Sequence, residues 1–320
     1  MKVTLDLDAL LNKGKITQKE YEKFSELSSK TTTSLGFSVL IAFGIVAIIA
    51  GLLILEPSAE VATGAGLLIL ISGIGFLRSE SNQWRLLANI FVVLGALLFG
   101  GGILTLSEGE PSTLVILFVV VTYALAGVLA RSSFLVVLSV FLSSSLVGAM
   151  TGYSFASYYL SIENPITTVM LYAVLGIGLH QVSKNVDIKY ESIALAGAKA
   201  SVFLVNFGFW VGSLYGSREI IHEEGKKSWE YEMVTHISPE VFSILWAVAI
   251  ISAGVWAVKN NRRWTLNVVA TFGGIHFYTQ WFVYFGAEPI TLIFLGILTL
   301  GCVFSLKLVN SKMQKTVGSH

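Results

Sequence analysis

Residues 86–106 read LLANIFVVLGALLFGGGILTL, a run that holds one amide, one hydroxyl and no charged side chain. An α-helix rises about 1.5 Å per residue, so a helix of this length spans about 30 Å, the thickness of the hydrocarbon core of a bilayer. Hydrocarbon cannot hydrogen-bond a free backbone N–H or C=O, and a helix pairs these groups internally. The stretch therefore predicts a transmembrane helix.

Similar apolar runs follow one another along most of the chain, separated by short polar joints. At about 20 residues per span, they give about ten predicted transmembrane helices. The predicted spans are Ser34 to Leu55, Val61 to Leu77, Leu86 to Leu106, Thr113 to Ala130, Ser133 to Met150, Pro165 to Gln181, Ser192 to Tyr215, Pro239 to Lys259, Trp264 to Phe285 and Pro289 to Val309. The second and the sixth are short enough for one of them to be half-inserted. The predicted fold class is all-α, a polytopic transmembrane helical bundle.

The composition agrees with a protein that lies in a membrane. Hydrophobic residues make up 54% of the chain and charged residues 13%, against about 25% charged residues in an ordinary soluble protein. The net charge of +1 indicates no nucleic-acid partner. Cys302 is the single cysteine, so the chain has no disulfide framework and this thiol is interpreted as a buried hydrophobic side chain. The predicted partner is the lipid bilayer, and no cofactor is predicted.

The joints between the spans alternate in charge, which predicts the orientation. Basic residues favour the cytoplasmic side of a membrane. Every second joint is basic, and these basic residues are Arg78, Arg85, Arg131, Lys184, Lys189, Lys259, Arg262 and Arg263. The joints between them are acidic or neutral, except that the long joint from Gly216 to Ile237 mixes both signs. Both termini are therefore predicted in the cytoplasm, with a cytoplasmic helical hairpin over 1–33, a transmembrane domain over 34–309 and a cytoplasmic tail over 310–320.

The N-terminal segment predicts two short helices between Asp6 and Lys30. Thr17 and Glu20 have the spacing of a capping box, in which each side chain accepts a hydrogen bond from the other residue's backbone N–H. Two interpretations stay open for residues 6–30. The segment either docks a protein partner or a second copy of the chain, or lies on the inner leaflet as an amphipathic helix.

Both ends of the chain resemble one bacterial family. The segment Leu10-Leu11-Asn12-Lys13-Gly14-Lys15-Ile16-Thr17 with Glu20, and the segment Asn261-Arg262-Arg263-Trp264 with Asn267 before a final apolar hairpin, carry the resemblance. They are similar to the bacterial multi-pass membrane protein family catalogued as domain of unknown function twenty-one fifty-seven. The resemblance implies a protein of the bacterial inner membrane and transfers no catalytic residues. The Gly-Lys-Ile-Thr-x-x-Glu portion also resembles short oligomerisation motifs.

A few polar residues inside the predicted spans are the candidates for a binding site. Polar and ionisable residues in a membrane are costly, so they mark sites or interhelical contacts. Lys199 lies in the seventh span, where its long stem either extends to the inner headgroups or turns toward protein. His276 lies near the middle of the ninth span, and Asn206 of the seventh span lies at a similar depth. Together with Tyr278 and Gln280, these residues are the predicted substrate-binding set; the alternative for His276 is a packed side chain with one interhelical hydrogen bond.

The long outer joint is the other place where titratable residues collect, namely His222, Glu223 and Glu224, with His236 and Glu240 at its end. Such residues are able to bind a divalent metal, but a solvated charged loop is the preferred interpretation, and no metal site is predicted. The predicted function is that of a non-enzymatic membrane protein, either transporter-like or a scaffold. The alternative is a membrane-embedded enzyme that acts on a lipid or a lipid-linked substrate.

Overall fold

A computed structural model gives the fold of most of the chain. It describes residues 10–11, 15–24, 58–77, 82–107, 111–154, 157–221 and 232–301, with single positions between 40 and 54 and at 304. Most of the predicted first span, the C-terminal tail and residues 222–231 of the long joint lie outside the described residues.

Helices dominate the described part of the chain. In order they are α1 (Ala59–Leu77), α2 (Asn82–Leu106), α3 (Thr113–Ala130), α4 (Ser133–Ser143), α5 (Pro165–Asn185), α6 (Ile188–Tyr215), α7 (Pro239–Lys259), α8 (Arg263–Phe285) and α9 (Pro289–Gly301). Their starts lie close to those predicted for the second to the tenth spans. The two spans that were predicted to be short, α1 and α5, are helices of 19 and 21 residues.

Six of the described helices, α1 to α3 and α5 to α7, are long and apolar enough to cross a membrane. The α8 helix has 23 residues, but its polar side chains make it less apolar than these six. Large apolar side chains cover the outside of the helices: Leu114 of α3 is 77% exposed and Ile177 of α5 is 72% exposed. A surface of this kind is stable in lipid and not in water. The chain is therefore a multi-pass, largely helical membrane protein.

Two β-hairpins interrupt the helices, and the sequence analysis did not predict them. Strands β1 (Ala149–Ser154) and β2 (Ser157–Ile162) pair antiparallel, as do β3 (Ser217–Ile221) and β4 (Glu232–Ile237). Each hairpin follows a glycine with positive φ, Gly148 at 77° and Gly216 at 71°, a conformation that side chains with a Cβ rarely adopt. Each hairpin ends shortly before a helix that begins with proline, which suits the first helical turn.

The first hairpin corrects the predicted fifth span. That span was expected to continue to Met150, but α4 ends at Ser143 and a 3₁₀ turn follows over Ser144–Val147. Serine hydroxyls compete with helical hydrogen bonds by bonding to nearby backbone groups, and the Oγ of Ser143 donates to the carbonyl of Val140 at 2.7 Å. The run of serines over 143–145 therefore marks the end of the helix, although the sequence around it is apolar.

The chain divides into two compact units. The first unit comprises residues up to Ser143 with Gln181–Gly197, and the second comprises Ser144–His180 with Ala198–His320. In the first unit, buried side chains of α1 to α4 form one core, which includes Val92, Val119 and Leu135. A buried hydroxyl also joins two of these helices, because Ser139 Oγ of α4 donates to the carbonyl of Val120 in α3 at 3.1 Å.

Close approach of two backbones holds the α1–α2 pair together. Four glycines lie at the contact, namely Gly66, Gly73, Gly95 and Gly102, and a Cβ built on any of them would collide with the other helix. At Gly95 the added atom would stand 2.7 Å from Cα of Leu70. Association of helices in lipid depends on such packing, since lipid tails are as apolar as leucine. These four glycines are therefore required by the contact.

The second unit buries a different set of side chains. Thr168 and Tyr172 of α5, Ser201 of α6 and Trp246 of α7 are fully buried, and Phe272 of α8 is almost so. Helix α6 is central to this packing. Its glycines face both neighbours, with Thr168 and Val169 of α5 beside Gly208, and Phe242 of α7 against Gly212. Contacts between buried side chains and glycines thus link α6 to both α5 and α7 in the second unit.

The predicted capping box is present at the N-terminus. The backbone N–H of Thr17 donates to Oε2 of Glu20 at 2.8 Å, and the N–H of Glu20 donates to Oγ1 of Thr17 at 3.3 Å. Helical residues follow over 18–24. The hydrogen bond from the Thr17 backbone holds the pKa of Glu20 below its ordinary value, because it stabilises the ionised carboxylate. A second short helix before Thr17 lies largely outside the described residues.

Candidate functional site

An asparagine–tryptophan hydrogen bond joins two helices in the interior of the second unit. Trp246 of α7 is fully buried, and its Nε1 donates to Oδ1 of Asn206 in α6 at 2.9 Å. The amide nitrogen of Asn206 donates in turn to the carbonyl of Val202, one turn earlier, at 2.8 Å. Both ends of the amide are thus engaged, which fixes the orientation of Asn206 and of the indole that it holds.

His276 of α8 completes a three-helix cluster around that indole. Its ring packs on Trp246 with the centroids 4.8 Å apart and the planes inclined by 51°. Nδ1 of His276 is buried and has no hydrogen-bond partner among the described residues. Asn206, Trp246 and His276 therefore form a chain of contacts through α6, α7 and α8, and its last member has an unused ring nitrogen.

Two more unpaired polar groups follow His276 on α8. Nε2 of Gln280 and Nε1 of Trp281 are buried, and neither has a partner within the described part of the chain. A nearby contact shows the ordinary alternative, because Trp210 Nε1 of α6 donates to Oγ1 of Thr279 at 3.0 Å. An unsatisfied polar group in a membrane interior costs several kcal/mol. Three such groups within one and a half helical turns thus make this part of α8 the most polar unpaired segment described.

Helices α6 and α8 lie side by side and run in the same direction. Phe203 contacts Phe272 with ring centroids 5.4 Å apart, and the Trp210–Thr279 hydrogen bond has the same separation in sequence. That register places Asn206 opposite residue 275, one residue from His276. The similar depth that the sequence analysis assigned to Asn206 and His276 therefore agrees with the helix register.

Lys199 lies apart from this cluster. Its Nζ stands 5.2 Å from the centroid of the Trp264 ring, a cation–π contact. The α6–α8 register would place Lys199 opposite residue 268, so the side chain extends about one turn toward the start of α8 to reach Trp264. The lysine thus reaches toward the end of α8 that was predicted to be cytoplasmic.

Tyr278 also has a separate environment. Its hydroxyl lies 2.8 Å from Oγ1 of Thr299 in α9, and the side chain is 38% exposed. Of the five predicted site residues, the structure therefore brings Asn206 and His276 together at one indole and places Gln280 one turn beyond His276. It directs Lys199 and Tyr278 to other partners.

The residue that sequence reasoning missed is Trp246. It lies mid-way along an apolar span, where tryptophan reads as one more hydrophobic residue. A buried indole N–H still needs a hydrogen-bond acceptor. The position of this tryptophan away from both ends of its span was the only sequence feature that indicated an interhelical hydrogen bond. The predicted set therefore lacked the residue that contacts both Asn206 and His276.

The residues of the outer joint form no comparable cluster in the described structure. His222, Glu223 and Glu224 lie outside the described residues, and Glu240 is exposed at the start of α7. Among the described residues, no three histidine, cysteine, aspartate or glutamate side chains come together in a group that could hold a metal ion.

The helices and the buried polar cluster define a multi-pass membrane protein in which one buried segment of α8 has polar atoms without partners among the described residues. No family model, curated protein or solved structure matches the chain.

Proposed function

We propose that the chain is a non-enzymatic, transporter-like membrane protein that binds a small polar ligand beside His276 and Gln280. The ligand would need both hydrogen-bond donors and acceptors, since histidine and glutamine offer both. Asn206 and Trp246 would act behind the site, because their hydrogen bond fixes the indole on which the His276 ring packs.

The observation that carries the proposal is the set of unpaired groups on α8. A bundle that serves only as a scaffold gains nothing from buried polar atoms without partners, since each costs several kcal/mol in lipid. A binding site needs such groups free, because a ligand or water pairs with them. The scaffold alternative requires that no water reaches this segment. The enzyme alternative requires converging catalytic groups, and the described residues around His276 do not supply them.

Thiol labelling tests whether water reaches this segment. We expect cysteine at Gln280, in a Cys302→Ser background, to react with a small membrane-impermeant methanethiosulfonate, because a water-exposed thiol ionises and the thiolate is the reactive form. The matched control is Val283→Cys on the same helix, where the side chain is 54% exposed on the apolar surface and is expected to face lipid. Labelling at 280 but not at 283, measured by mass spectrometry, supports a water-filled site. Equal lack of reaction at both positions from either side of the membrane would favour the scaffold.

We also propose about ten spans, both termini in the cytoplasm and the bacterial inner membrane as the location. The alternating charge of the joints supports the orientation, and the two helices between the hairpins bear on one part of it. Helices α5 and α6 separate the hairpins, so both hairpins lie on one side of the membrane if both helices cross it. The proposed side is the periplasmic one.

Labelling of intact cells also tests the orientation. In the Cys302→Ser background, we expect Lys227→Cys, in the joint between β3 and β4, to react with an impermeant maleimide. Lys184→Cys, between α5 and α6, should react only after the membrane is permeabilised. The reverse pattern would place the hairpins in the cytoplasm and overturn the proposed topology.

The N-terminal segment and the family resemblance stay predictions. The side chains over 18–20 and 22–24 are exposed, and Phe24 among them is apolar and 44% exposed. That surface supports a contact of residues 6–30 with a partner protein, a second copy of the chain or the inner leaflet.

A further inference from the structure

A small pocket lies in the first unit, far along the chain from the α8 cluster. Its volume is about 170 Å³, and it is lined by Leu77, Arg85, Asn89, Leu129, Ala130 and Arg131. The lining comes from the end of α1, the start of α2 and the end of α3. Pockets for drug-sized ligands have volumes of about 300–1,000 Å³, so this one suits a single small polar group.

The charge of the lining is one-sided. Two arginines belong to the lining, and none of the lining residues is acidic. Neither arginine forms an ion pair with a carboxylate in the part of the chain that the structure describes. Two like charges at one small pocket repel each other. A bound anion between them would be attracted to both and would offset that repulsion.

Arg131 combines an unusual backbone conformation with a stacked side chain. Arg131 ends α3 with φ 52° and ψ 40°, a left-handed conformation that is uncommon for residues other than glycine. Its guanidinium lies over the ring of Tyr190, 5.5 Å from the centroid. A stacked guanidinium keeps the N–H groups of its edge available for hydrogen bonds, and this planar set of donors matches a phosphate.

Asn89 adds a second requirement for the ligand. Its Oδ1 is buried and has no hydrogen-bond partner among the described residues. An amide oxygen only accepts hydrogen bonds, so it pairs with a hydroxyl or an ammonium and not with the phosphate itself. The lining is thus complementary to a small molecule that carries both a phosphate and an O–H or N–H donor.

We propose that this pocket binds the phosphate of a phosphate ester that also carries a hydroxyl or ammonium group. The phosphate lies between Arg85 and Arg131, and the donor group lies against Asn89. A glycerophospholipid headgroup has this chemistry, and so does a soluble phosphate ester such as glycerol phosphate. Two basic joints of the first unit meet at this pocket, and both are predicted on the cytoplasmic side, so a lipid would be one of the inner leaflet.

Thermal unfolding of the full-length protein in an uncharged detergent tests the site. The probes are phosphatidylglycerol, phosphatidylethanolamine, phosphatidylcholine, glycerol phosphate and inorganic phosphate, because a ligand that binds only the folded state raises the unfolding midpoint. We expect phosphatidylglycerol and phosphatidylethanolamine to act at lower concentrations than phosphatidylcholine, whose headgroup has a phosphate but no donor. Protection by lipids alone identifies a headgroup, and equal protection by glycerol phosphate identifies a soluble ester.

Three variants and one control decide whether the named residues are responsible. Arg85→Gln and Arg131→Gln should each weaken the protection about tenfold or more, the usual effect of losing a charged hydrogen bond. Asn89→Leu should abolish the preference over phosphatidylcholine while leaving the response to phosphate. Arg262→Gln, at an exposed joint residue, should change neither. Unfolding midpoints without ligand show whether each variant is folded. An unchanged response to every probe in both folded arginine variants would overturn the site.

Discussion

Replacement of Gly95 by alanine is expected to destabilise the protein by about 1–3 kcal/mol, the usual range for overpacking a close contact. The added methyl group would lie 2.7 Å from Cα of Leu70 and 2.9 Å from the carbonyl oxygen of Gly66. Both are backbone atoms, so no side chain can rotate away and the two helices must separate. Leucine at the same position should prevent α1 and α2 from packing at all.

Gly101 provides the matched control on the same helix. A Cβ at Gly101 would meet no atom within 4 Å, so Gly101→Ala is expected to be neutral or stabilising by up to about 1 kcal/mol, as alanine is the better helix former. Reversible unfolding in mixed detergent and dodecyl sulfate micelles, followed by intrinsic fluorescence, gives the free energies of unfolding. Equal effects at the two positions would show that the close contact between α1 and α2 contributes nothing to stability.

Truncation of Trp246 to alanine is expected to cost about 3–5 kcal/mol, because it opens a large cavity at a fully buried position. It also removes the contact with His276 and the hydrogen bond to Asn206. Trp264→Ala is the control, since Trp264 lies at the start of α8 and is 41% exposed. Its loss should cost much less, and similar losses at the two tryptophans would contradict the central place of Trp246.

A double-mutant cycle separates the hydrogen bond from the cavity. Trp246→Phe leaves Oδ1 of Asn206 unpaired, and Asn206→Leu leaves the indole N–H unpaired, so each alone should destabilise by about 1–3 kcal/mol. The double variant removes both groups and should cost less than the sum of the two. The coupling expected for an interhelical hydrogen bond in a membrane is about 0.5–2 kcal/mol, and strict additivity would show that the bond contributes no coupling energy.

The helices were predictable because each corresponds to an apolar run in the sequence. Three of them begin at a proline, at residues 165, 239 and 289. Their relative depth was partly predictable as well, because counting residues from the predicted inner ends of two spans placed Asn206 at a depth similar to that of His276. What a count of apolar residues does not contain is the rotation of each helix about its axis. Trp246 was missed for that reason, since its burial between α6 and α8 depends on which face of α7 turns inward.

The hairpins escaped prediction for a different reason. Strands in the joints between helices need no long apolar run, and their pairing depends on partners several residues away in sequence. The segment over 149–162 is rich in tyrosine and serine. The tyrosines favour strands, whereas the run was read as the end of a helix followed by a loop. Gly148 and Gly216 have positive φ, but the chain contains 30 glycines. The sequence alone does not distinguish the glycines that adopt this conformation from those that lie in helices.

The short α4 helix has a consequence for the depth at which irregular backbone enters the bilayer. Its 11 residues rise about 17 Å, and the 3₁₀ turn after it adds about 8 Å. Gly148 adds at most about 3.5 Å more, so the chain has risen by about 28 Å at most when β1 begins, which is still less than the hydrocarbon thickness of about 30 Å. The outer edges of a two-stranded ribbon carry N–H and C=O groups without partners in the ribbon, and lipid offers them none. If α4 starts at one edge of the hydrocarbon core, as the predicted fifth span does, the base of the first hairpin must be covered by other parts of the protein or be reached by water from the opposite side.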